Sequence, residues 1–189
     1  MFVSIFALGR LFDIGVGWAP VDIDTANGAT GKRISMAGAS GITFVVATGA
    51  GGAEDLVFDV QQHTAYTGGT SKDLDSDPTT GVTTSTGPTR YYIKAETLLD
   101  NDETWVKVTQ AEASEVTVVG ATYGAQQKLV VIEVDADQLG DGYTHVSLNA
   151  AITTSTSQLG VCLYFVHGLR YPRTPTKLWN LLNPGAANA

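Results

Sequence analysis

The sequence predicts an all-β protein: a β-sandwich of jelly-roll or Ig-like type with extended N- and C-terminal arms. Three observations predict it. Several short stretches alternate apolar and polar residues, the period at which one face of a strand is buried and the other wet. Turn-forming residues separate those stretches, and 21 of the 189 residues are glycine. No stretch keeps a helical period for long, and only 16% of residues are charged, too few to coat the outside of a helical bundle. A chain of this length fits one ordinary domain with arms, or two very small ones, and is long enough to bury a core without metals or disulfides.

Residues 1–38 read as an N-terminal arm. "MFVSIFALGRLFDIGVGW" is apolar but interrupted by Arg10 and Asp13, and Asn27-Gly28 and Gly31 break up the rest of the arm. It lacks the basic start of a secretory signal. The sandwich is expected over residues 39–169. "GITFVVA" (41–47) is a β-branched run, and "LVFDVQQ" (56–62) sets Leu56, Phe58 and Val60 on one face. The polar stretch 67–89 is too long for a tight turn and predicts a large surface loop. "RYYIKAE" (90–96), "ETWVKVTQ" (103–110) and "SEVTVVGATYG" (114–124) read as strands, with Trp105 and Lys107 sharing a face.

"VVIEVDADQLGDGYTHVSLNA" (130–150) predicts a hairpin about Asp141-Gly142, with "ADQL" either a single helical turn or part of a broad loop. "QLGVCLYFVHGL" (158–169) is apolar on both faces, as a central or covered strand is. Residues 170–189 hold three prolines and little period, and predict an extended C-terminal tail.

Charge narrows the partners. The net charge of −8 argues against a nucleic-acid binder. No run reaches the roughly 20 apolar residues of a membrane helix. After Asp141 the only fixed charges are Arg170, Arg173 and Lys177, so a basic end sits on an acidic body, a pattern of docking segments.

Chemical motifs are weak. Asp73, Asp75 and Asp77 alternate like the start of a calcium loop, but Pro78 and Thr84 occupy the glycine and glutamate places. "GATGKR" departs from a phosphate loop at Ala26 and Arg33. His63, His145 and His167 have no metal-ligand spacing, and His145 reads as a surface imidazole. Cys162, the single cysteine, lies in an apolar strand and reads as a buried thiol. The acidic pairs Glu54/Asp55 and Asp135/Asp137 are of a kind that polar turns also produce. No catalytic residue, cofactor or metal is expected.

Four segments carry a family resemblance: "TFVVATGAGGAEDLVFDVQQHTAYTGGTSKDL", "TWVKVTQAEASEVT" with Trp105, Val108, Thr109 and Gln110, "VVIEVDADQLGDGYTHVSLNAA", and "QLGVCLYFVHGLRYPR" with Arg170-Tyr171. Over residues 40–173 the chain resembles small structural proteins of tailed phages, of the capsid decoration or cement type. The resemblance implies a non-enzymatic protein, made in the host cytoplasm, that binds the outer capsid surface and stabilises the head. Its implied partners are the major capsid protein and neighbouring copies of itself, a trimer suiting three-fold positions. Contact residues are then expected in the arms: Phe2, Phe6, Leu11, Phe12 and Trp18, and Arg170, Tyr171, Arg173, Leu178 and Trp179, since aromatic and arginine side chains concentrate binding energy. The rival expectations are a head-fibre or tail module touching host glycan, and a glycan-degrading enzyme.

Overall fold

The alternating stretches become strands that bury one face each. In β4 (Leu56–His63), Leu56, Phe58 and Val60 point inward while Asp59 and Gln61 point out. The same division holds in β3 (Gly41–Thr48), β6 (Arg90–Glu96) and β9 (Gln127–Asp135). The remaining strands are β1 (Phe12–Asp22), β2 (Ile34–Ser35), β5 (Ser71–Asp73), β7 (Val106–Thr109), β8 (Glu115–Val118), β10 (His145–Ile152) and β11 (Leu159–His167). The structure, a computed structural model, describes residues 7–23, 28–76, 84–152 and 157–171.

Two antiparallel sheets pack as a β-sandwich. One has six strands in the order β1-β11-β3-β9-β6-β7. The other runs β2-β10-β4-β5, with β8 pairing β4 beyond the end of β5. Ile42, Phe44, Val46, Ile93, Val130, Ile132 and Val134 from the first sheet meet Leu56, Phe58, Val60, Val116, Val146 and Leu148 from the second in one core. Burial of such side chains contributes roughly 1.5–3 kcal/mol each. Cys162 is fully buried, and burial pushes its thiol up to about 12.

Four expectations change. Within the expected N-terminal arm, residues 12–22 are β1, paired along β11, and Ile34 and Ser35 pair with β10. The sequence hid β1 because its register shifts twice, between Val16 and Trp18 and between Trp18 and Val21, and each bulge resets the alternation. Gly15 and Gly17 further blank the pattern; a side chain at Gly15 would collide with the Tyr164 ring.

Residues 130–150 are not a hairpin. β9 pairs with β3 and β6, whereas β10 pairs with β2 and β4, so residues 136–144 cross from one sheet to the other. The alternation is as expected, but the two apolar faces meet across the core rather than side by side. Local features of the link do agree: Ala136–Gln138 is one 3₁₀ turn, and Gly142 has φ of 83°.

The stretch 114–124 splits into β8 and a short helix, α1 (Gly120–Tyr123). Asp55 accepts a hydrogen bond from the Gly120 N–H at 2.8 Å, and Gly120 and Gly124 lie against the backbone of residues 52–54. The loop 67–89 contains β5 and the fully buried Leu74, so part of it belongs to the sheet; residues 77–83 are outside the described ones.

Lys128 is inward-facing and nearly fully buried. Its Nζ donates to the carbonyls of Tyr123, Gly124 and Gln126 at 3.0, 3.1 and 2.7 Å, and burial lowers its pKa to about 8. Lys128→Met strands one buried carbonyl, that of Gly124, and two part-buried ones. The expected loss is roughly 2 kcal/mol, read as a lower urea midpoint; an unchanged midpoint contradicts this role.

Candidate functional site

The two outer faces of the sandwich differ in chemistry. On the six-stranded sheet, cross-strand register aligns Val16 with Leu163, Leu163 with Val45, Val45 with Val131, and Val131 with Tyr92. This is a row of apolar side chains across five strands. A parallel row links Ile14, Phe165, Thr43 and Glu133, and another links Val161, Ala47, Leu129 and Lys94. Phe12 stands edge-on to Phe165, with ring centroids 5.4 Å apart. Ile14, Val16 and Leu159 are exposed, Leu159 by 66%. Strand β11 is apolar on both faces as expected, but among the described residues its outer face is only partly covered. Along the first row Val16 is exposed and Leu163, Val45, Val131 and Tyr92 are half-buried, and contiguous apolar surface left open to water is a common feature of interaction sites.

The face has two ends. At one end Asp135, Gly41, His167 and Phe12 align, and an open cleft of about 320 Å³ is lined by Arg90, Glu133, Asp135, Gln138 and His167. Arg90 and Glu133 are 3.9 Å apart there. At the other end an apolar groove of about 340 Å³ is lined by Pro20, Ala47, Leu99, Leu159 and Val161. Along the β7 edge, Trp105 is 48% exposed, with the Lys94 ammonium 5.3 Å from its ring centre.

Both described chain ends lie at the end with the Arg90–Glu133 cleft. Residues 7–11 turn into Phe12, and Gly168–Tyr171 follow His167. Leu11 is 59% exposed and Tyr171 62%. Arg170 lies 5.9 Å from the Tyr171 ring. Of the expected contact residues, Leu11, Arg170 and Tyr171 are therefore on the surface, and Phe12 is half-buried on the outer face. Trp18 is a correction: it is 5% exposed, and its Nε1–H donates to Leu148 O at 3.1 Å. The bulges of β1 turn it inward, so it fills the core. Phe2, Phe6, Arg173, Leu178 and Trp179 lie outside the described residues.

The outer face of the second sheet is polar and holds a network. His63 and His145 are direct partners across β4 and β10. His63 shares hydrogen bonds with Ser71 Oγ through Nδ1 (2.8 Å) and with Ser147 Oγ through Nε2 (2.9 Å). Arg33 donates to Ser71 Oγ and to Ala65 O. Burial, then the Arg33 charge, brings His63 down to about 4. His145 is also lowered by burial, so it is not the surface imidazole expected. Tyr66 lies over it at 6.4 Å, and Thr144 Oγ1 meets its Nδ1. On the same face Asp59 accepts from Asn149, and burial raises it to about 6.

A serine–histidine contact can serve nucleophilic catalysis, but here Ser147 and His63 are 2% and 3% exposed. Nδ1 of His63 meets a hydroxyl, where a triad has a carboxylate. The arrangement ties β4, β5 and β10 together. Sequence reading missed it because residues 33, 63, 71, 145 and 147 show no common spacing.

Other acidic groups are spoken for or exposed. Asp55 bonds Gly120 N–H, Asp135 closes a capping box with Gln138, and Asp73 accepts from Gln61. Asp77 lies outside the described residues. Glu96, Asp102 and Glu103 bring carboxylate oxygens within 4.8 Å of one another on the surface, and Glu103 accepts from Asp100 N–H. No family model, curated protein or solved structure matches the chain.

Proposed function

We propose that the protein is a structural component of a tailed-phage head, which binds the outer capsid surface and stabilises the shell. The apolar row Val16–Leu163–Val45–Val131–Tyr92 carries this reading. A sandwich with one polar and one apolar outer face is built to be covered on one side. The sequence resemblance to decoration proteins supplies the setting. The apolar face, together with the end of the sandwich bearing Leu8, Leu11 and Tyr171 and the segment containing Phe2 and Phe6, meets the capsid protein. Many symmetric copies make modest contacts cumulative.

The test is occupancy on isolated, undecorated heads. The full chain is expected to bind and to raise the temperature at which heads rupture. Leu8→Ser with Leu11→Ser, both at exposed positions, is expected to weaken binding about tenfold. Full chain that leaves heads bare overturns the proposal.

A second reading has its own observation. Trp105 and Tyr92 lie on the same face along β6 and β7, and exposed aromatic rings also stack on sugars. Glycan-array binding abolished by Trp105→Ala favours a host-glycan module instead.

A further inference from the structure

We propose that residues 64–71 form an acid-operated latch: His63 and Arg33 hold this turn on the polar sheet near neutral pH, and protonation of His63 opens it while the sandwich stays folded. The proposal is independent of what the protein binds.

Three observations carry it. The first is what the turn is made of. None of residues 64–71 is buried, whereas His63 before them and Leu74 after them are, Leu74 completely. Opening there uncovers little apolar surface, which is the character of segments that open locally. Thr64 N–H donates to Thr70 O, and Thr70 N–H to Thr64 Oγ1. Water replaces both bonds once the turn lifts.

The second is how the turn is held. Arg33 donates to Ala65 O, Gly68 O and Ser71 Oγ. Ser71 Oγ also meets His63 Nδ1, and His63 Nε2 meets Ser147 Oγ on β10. Because Ser71 Oγ accepts from Arg33, its own hydroxyl proton is available to Nδ1, and Nε2–H then donates to Ser147. Neutral His63 thus completes a chain from Arg33 to Ser147. A second proton on the ring makes Nδ1 a donor and breaks that chain at Ser71, where the turn is anchored.

The third is charge. Around His63 stand His145 on β10, Arg33 before β2, Tyr66 in the turn, Lys72 and Asp73 on β5, and Asp59 further along β4. Asp73 is aligned with Gln61 and accepts from it, Lys72 is aligned with Gln62, and Asp59 accepts from Asn149. Among the described residues no carboxylate bonds to His63, His145 or Arg33. A proton on His63 therefore sits beside the Arg33 guanidinium without a counter-ion.

The sign follows. Burial, then Arg33, then His145 bring His63 down to about 4 in the closed turn, from an ordinary 6.5. In the open turn the ring meets water and regains the ordinary value. As pH falls from 6.5 to 4 the open form takes the proton first, so opening gains about a hundredfold. Asp59, raised to about 6, opposes this when the whole chain unfolds. It stays in place when only the turn opens, so the latch answers to acid without that offset.

Amide hydrogen exchange of the full chain, followed by NMR between about pH 7 and pH 4 and corrected for intrinsic rates, tests this. Exchange at Thr64 and Thr70 is expected to accelerate about a hundredfold, rising below 6.5 and levelling near 4, while amides of β3 and β9 keep their protection. His63→Gln retains a donor and an acceptor and is expected to abolish the acceleration. Asp59→Asn is expected to leave it unchanged. Equal protection of the turn at both ends of the range, exchange that rises equally in β3 and β9, acceleration that persists in His63→Gln, or acceleration lost in Asp59→Asn each overturns the proposal. The wild-type profile decides the first two, so the test stands even where a variant fails to fold.

Discussion

Trp18→Ala is expected to destabilise the protein by about 4 kcal/mol, the cost of removing a large buried aromatic side chain. The residue is almost fully enclosed, and its indole N–H reaches Leu148 O in the opposite sheet. It thus fastens β1 of one sheet to β10 of the other. Trp18→Phe keeps most of the volume and loses the hydrogen bond, so about 1–2 kcal/mol is expected from it. Urea unfolding measures both. Were residues 12–22 a detachable arm, both variants would unfold at the wild-type midpoint.

The second large effect is a pH dependence hidden by compensation. His63 titrates near 4 when folded, against an ordinary value of 6.5. As pH falls from 6.5 to 4, the unfolded chain takes the proton first, and stability is lost. Asp59 titrates near 6 when folded, against 3.8. As pH falls from 6 to 3.8, the folded chain takes that proton first, and stability is gained. Each shift is worth about 3 kcal/mol across its window, with opposite sign, so the two largely offset in the native protein. Asp59→Asn uncovers the histidine: relative to wild type it should lose about 3 kcal/mol between pH 6.5 and 4. His63→Gln uncovers the carboxyl and should gain a similar amount over the same interval. Urea titrations at intervals of half a pH unit give the difference curves. Two variants with curves parallel to wild type contradict the account.

Much of the sandwich was legible because alternation survives wherever a strand has one buried and one open face, as in β3, β4, β6 and β9. It failed at β1, where bulges and Gly15 and Gly17 erase the period. It failed again between β9 and β10. Alternation says which residues face the core, but only pairing says which sheet they belong to, and pairing is a long-range property. The apolar outer face was only partly visible. That β11 is apolar on both sides could be read from "VCLYFV". Its alignment with Val16, Val45, Val131 and Tyr92 depends on a strand order, β1-β11-β3-β9-β6, that no local pattern encodes. The same is true of the Arg33–Ser71–His63–Ser147 network, assembled from three strands and a loop.

Electron cryomicroscopy of phage heads carrying this protein decides whether the apolar sheet face is an interface. The expected density shows Val16, Leu159 and Leu163 covered by protein, while Lys72 and Asn149 on the other sheet face solvent. A reconstruction in which the protein is absent from the head, or in which the six-stranded sheet turns its apolar face to water, contradicts it.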